Sequence, residues 1–184
     1  MSVAATAEAP DFPAALESSR TWSVIATDEG YRLGSVVMPT VWPPGKPLVA
    51  QCLRASPAGW LRRRRDREHV APDAPCACGI YAAPMPLLRQ YMHDPLVNGT
   101  VGLVLGHVSL WGTVVECERG FRASHAYPLR IYLPTASTLE PGHCWDEVLA
   151  GLQVYGAPIE SLETSCKGAI LLITQRAVRR PSIG

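Results

Sequence analysis

The chain is 184 residues with a formal net charge of +1, a length that suits one domain at ~100–200 residues per domain. Hydrophobic residues make up 47% and charged residues 18%, enough to bury a core, so wholesale disorder is excluded and a soluble globular protein is expected. No apolar run approaches the ~18–20 residues of a membrane-spanning helix, since Val101–Leu110 and Ala169–Thr174 are short and broken, and no membrane association is expected.

In chain order, residues 1–19 read as a flexible leader, because AEAPDFPAA carries Pro-rich punctuation and no sustained period. No basic residue precedes an apolar run in Met1–Pro13, which argues against a secretory signal and for a cytoplasmic protein. A single globular domain is expected over 20–175, with a basic tail over 176–184. Thr21–Ala26 has strand composition, Asp28-Glu29-Gly30 supplies a turn, and Tyr31–Val37 completes a hairpin. Pro39–Pro47 must be a loop, because proline removes the donors of ladders and helices. Leu48–Leu53 follows as a third short strand. Residues 54–75 are irregular apart from a brief helix in LRRRRDREH, a loop long enough to be functional. Pro84–Asp94 places Leu87, Leu88, Tyr91 and Met92 at helical spacing, and Pro95 stops it.

Val101–Cys117 is β in character throughout, and Gly102, Gly106 and Gly112 mark bends or bulges where one strand coils around a small barrel or splits in two. Glu118–Gly120 turns the chain, and Leu129–Leu133 is another strand. A helix is expected at about 143–155, with Gly156 in the C-terminal capping position, and Ala169–Thr174 is a last strand. The expected fold is therefore strand-dominated α+β: a small β-barrel-like sheet, two peripheral helices and a long metal-tied loop.

The six cysteines, Cys52, Cys76, Cys78, Cys117, Cys144 and Cys166, lie in a chain neither small nor secreted, so thiols are expected rather than a disulfide framework. Cys76-Ala-Cys78-Gly79 is the sharpest local signal. In an extended segment residues i and i+2 point to one side, so both thiols can reach one ion, and Gly79 lets the backbone turn at once. A C-x-C pair is half a zinc site. Cys52 and His69 complete a Cys₃His set, Cys52…His69…Cys76-x-Cys78, suited to structural zinc. The irregular stretch between them has few apolar anchors, and a metal at both of its ends would order it. The plainer reading makes Cys52 and Cys76 small buried hydrophobes and His69 a surface residue. A redox or iron–sulfur role is a third.

The second signal is a strand face. His107, Ser109, Trp111 and Thr113 share one side of Val101–Cys117, with Val108, Leu110 and Val114 on the other. Arg122 and His125 return across the turn at Gly120, so that Trp111, Arg122 and His125 could line a recognition pocket. The plainer reading keeps Trp111 as a core or interface side chain and pairs Arg122 with Glu116 or Glu118.

Charge is unevenly laid out. The chain has 15 Arg against Lys46 and Lys167, and Arg54–Arg67 holds six Arg against Asp66. Arg62, Arg63, Arg64 and Arg65 could bind the phosphates of a nucleic acid, or form a solvated loop. Serine-hydrolase signatures, Gly-rich phosphate loops and H-E-x-x-H helices are missing from the sequence.

Three blocks, WPPG…A-x-C (Trp42 to Cys52), EHVAPDAPCACGIYA (Glu68 to Ala82) and VSLWGTVVECERGFRASHAYPLRIYLP (Val108 to Pro134), resemble those of small actinobacterial proteins. That group pairs a C-x-CGIYA element with a WG-x-VVE…G-x-RA-x-x-A-x-P element. The resemblance covers roughly the middle half of the chain and implies a source and a shared architecture; it transfers no catalytic residue. The leading reading is a non-enzymatic, zinc-stabilised domain that recognises a small-molecule ligand or a protein. The rivals are a nucleic-acid binder using Arg62–Arg67, and an enzyme on a small substrate using His125 or Cys78.

Overall fold

The computed structural model describes residues 15–52, 69–91, 99–133 and 139–161. Two long strands dominate it: β5, Thr100–Cys117, and β6, Gly120–Leu133, are folded back on each other as a hairpin. β1, Leu16–Thr27, lies antiparallel to β5 on its other side, and β2, Gly30–Ser35, borders β1. The outer edge of β6 is covered in turn by three short strands. β4, Ile80–Ala82, pairs with Phe121–Ala123; β3, Leu48–Val49, pairs with His125–Ala126; β7, Ile159–Ser161, runs parallel to Ile131–Leu133.

The sheet is mixed and open, which corrects the barrel-like expectation. β1 and β4 approach each other, but only Ser19 and Ala83 exchange backbone bonds, at 3.1 and 2.9 Å, so no ladder closes the ring. Closure would require a ladder of strand length between these edges.

Leu16–Ser19, expected within the leader, belong to β1 and pair with Leu110–His107. Ser18 and Ser19 are buried in an inner strand whose ladder holds them regardless of propensity. Among the described residues one α-helix forms, α1, Trp145–Leu152, where two peripheral helices were expected. Met85–Tyr91 is a 3-10 segment instead, opened by the Leu87 N–H donating to the Pro84 carbonyl at 2.9 Å. Gly156 ends the 3-10 turn after α1 in the left-handed conformation, φ 65°, as its capping position requires. The Arg62–Arg65 run, the Ala169–Thr174 strand, Cys166 and the 176–184 tail lie outside the described residues. Among the described residues no helix is long and apolar enough to cross a membrane.

The core lies between the sheet and α1. Trp22 from β1 and Trp42 from the Pro-rich loop meet edge to face, with centroids 5.6 Å apart, among Val24, Leu33, Val104 and Leu152. α1 reaches β2 closely because Gly151 lies against Tyr31, where an added Cβ would sit 2.9 Å from the tyrosine Cβ. Its first turn carries Asp146 and Glu147, which favour the positive end of the helix dipole.

Candidate metal centre

The C-x-C segment leaves the 69–75 loop and enters β4, whose pairing with β6 fixes it in space. Gly79 sits at φ +122°, a conformation closed to other residues, and a Cβ there would meet Pro72 Cβ at 3.0 Å and Arg122 Cβ at 3.1 Å. The turn therefore packs against the loop on one side and β6 on the other. Cys52 follows β3, on the same edge of β6.

These elements bring Cys52, His69, Cys76 and Cys78 together, with their four donor atoms within 4.8 Å of one another. Cys52 Sγ lies 3.8 Å from Cys76 Sγ, and His69 Nε2 lies 3.3 Å from Cys78 Sγ. The cysteines are free, since a disulfide would hold its sulfurs at about 2.05 Å. On the far side of the imidazole, Asp73 brings a carboxylate oxygen to 3.9 Å from Nδ1, the side from which a carboxylate orients a ligating histidine. Such a set could hold a metal ion.

The thiols differ. Burial pushes Cys76 up, but hydrogen bonds from the Cys78 backbone N–H and from the side chains of Cys78, Cys52 and His69 outweigh it and bring it down to about 7. Cys78 is held up, first by burial and then by its neighbours Cys76 and Cys52.

Arg122 is the residue that sequence reasoning misplaced. It is 6% exposed, and its guanidinium lies against the 73–78 loop rather than in an open pocket. Nη1 donates to the carbonyls of Cys78 at 2.9 Å and Asp73 at 3.3 Å and, closer still, to that of Cys76; Nη2 donates to Ala74 at 3.4 Å. Nε donates to Cys117 Sγ at 3.2 Å, and no ion pair with Glu116 or Glu118 forms. No local sequence pattern announces this, because the carbonyls come from 44 to 49 positions away.

Trp111 is 8% exposed and stacks on His125, with centroids 5.9 Å apart. Arg122 and His125, three residues apart on one strand, face opposite sides of it. The structure thus brings Trp111 and His125 together but leaves Arg122 on the metal side. A bulge at Gly112, φ +74°, lies beside Trp111, and Ser124 repairs it by accepting the Thr113 N–H at 2.9 Å and donating to the Trp111 carbonyl at 3.2 Å.

Comparison with known proteins returns no match, whether to a family model, a curated protein or a solved structure.

Proposed function

We propose that the chain is a zinc-stabilised binding domain in which Cys52, His69, Cys76 and Cys78 hold one structural zinc ion. The observation that carries this reading is the cluster of four donors within 4.8 Å. A tetrahedral ion with Zn–S bonds of about 2.3 Å needs sulfurs about 3.8 Å apart, and Cys52 and Cys76 lie at 3.8 Å. Three thiolates and one imidazole make a closed set with no open position for substrate, which favours a structural over a catalytic ion. The set would carry a net charge of −1 with zinc, and the Arg122 guanidinium beneath the same loop supplies the opposite charge.

The role of the ion is mechanical. It would tie Cys52, at the end of β3, and His69 to the turn leading into β4. Cobalt substitution tests the reading: the parent should show intense tetrahedral d–d absorption with thiolate charge transfer, and Cys78→Ser should weaken both. Weak octahedral spectra from the parent would contradict it.

A further inference from the structure

The sheet opens into a cleft of about 800 Å³ whose lining includes Cys52, Cys76 and Cys78 of the cluster at one end. This lies within the ~300–1,000 Å³ usual for small-molecule sites. Its walls include Leu48, Ile80, Ala82, Leu88 and Phe121, and its rim carries Val37 and Val49, 54% and 52% exposed. No aspartate or glutamate lies among the described lining residues, whereas Arg20 and Arg119 do.

Arg20 is the unexplained group. Its Nη1 donates to the Tyr81 carbonyl and its Nη2 to Ser35 Oγ at 3.3 Å, while Cζ lies 5.1 Å from the centre of the Trp42 ring. Nε is buried without a hydrogen-bond partner, and no carboxylate pairs with this guanidinium among the described residues. Burial lowers its pKa only to about 10, so it is a cation at neutral pH. A half-buried cation without a counter-ion is costly. An anion in the cleft relieves that cost.

We infer that the cleft binds a small organic acid, with one carboxylate held by Arg20 and an apolar body along the cleft walls. The inference rests on the reading of the chain as a binding domain. A guanidinium fork matches a carboxylate, and one inner charge matches one negative charge, Arg119 being exposed at the β5–β6 turn. A neutral amphiphile would leave the guanidinium without a counter-charge, and an amine would add a second positive charge.

The test uses octanoate as the probe, with 1-octanol and octylamine beside it, in calorimetric titrations of the full chain whose zinc content is measured on the same sample. Octanoate should bind saturably and about tenfold or more tighter than either analogue, the gain of a charge-assisted hydrogen bond. Arg20→Met should remove that preference while leaving 1-octanol affinity near the parent value, and Arg20→Lys should restore part of it. In the parent, the Arg20 Nε–H resonance should shift with octanoate and not with 1-octanol, a readout that needs no variant to fold. Equal binding of octanoate and 1-octanol, no octanoate binding by zinc-loaded folded protein, or an unmoved Nε–H resonance overturns the ligand class. A sample without zinc contradicts the zinc-stabilised reading instead.

Discussion

The guanidinium of Arg122 donates to the carbonyl of Cys78 at 2.9 Å, so a β6 residue holds the backbone of a candidate metal ligand. Through further bonds to Asp73, Ala74, Cys76 and Cys117, one side chain organises the turn that presents two thiols. Arg122→Met keeps the stem but strips the loop of these donors. Each buried acceptor left unsatisfied costs about 1–3 kcal/mol, so the variant should lose about 3 kcal/mol in denaturant unfolding. It should also give up metal at lower chelator concentration. Arg130→Met, which breaks only an exposed pair with Glu160, should behave like the parent in both assays.

Gly79→Ala tests the turn itself. The residue would have to hold φ +122° with its methyl 3.0 Å from Pro72, so the expected loss is about 1–3 kcal/mol together with weaker metal retention. Chelator competition on this variant and on Gly45→Ala, where a Cβ meets nothing within 4 Å, compares the two. Gly45 has positive φ too, so weaker metal retention in Gly79→Ala alone would show that backbone strain by itself is not the cause, and equal retention in both would contradict the role given to the Gly79 turn.

Tyr155 joins two distant segments: its hydroxyl accepts the Leu33 N–H at 2.9 Å and donates to the Trp42 carbonyl at 2.7 Å. Tyr155→Phe should cost about 1–3 kcal/mol in denaturant unfolding. Burial pushes the phenol up from 10.0 to about 12, so the folded state keeps it neutral while the unfolded chain ionises. Its contribution is fully present below pH 10 and lost as pH rises through about 12, and the Phe variant should lack that part of the alkaline stability loss.

Trp111→Ala should lower stability by about 3–5 kcal/mol, because the indole is buried against His125. Metal content per folded chain should stay at the parent value, since neither residue is among the four donors. Loss of metal without loss of stability would place Trp111 in the wrong role.

The four donors were legible in the sequence because their chemistry is distinctive and because alternation in an extended chain puts Cys76 and Cys78 on one side. The β1–β2 hairpin, the β5 run and the Gly156 stop were legible from period and turn chemistry. Three features were not. β4 and β7 span three residues each, too short for a period, and exist through their pairing with β6. The helix expected over Pro84–Asp94 is a 3-10 segment over Met85–Tyr91, a distinction between i+3 and i+4 bonding that the spacing of Leu87, Leu88 and Tyr91 does not carry. Arg122 reads as a pocket residue beside Trp111 and Arg20 carries no signal, because nothing local shows that a distant loop or an apolar cleft will enclose them.

Whether the four donors hold a zinc ion that the fold requires is decided by elemental analysis of the full chain prepared without chelator, beside Cys78→Ser and Cys144→Ser. About one zinc per chain is expected in the parent and in Cys144→Ser, whose exposed thiol is outside the set, and substoichiometric zinc with loss of cooperative unfolding in Cys78→Ser. A parent free of zinc that unfolds cooperatively, or a Cys78→Ser that matches the parent in both respects, would contradict the zinc-stabilised reading.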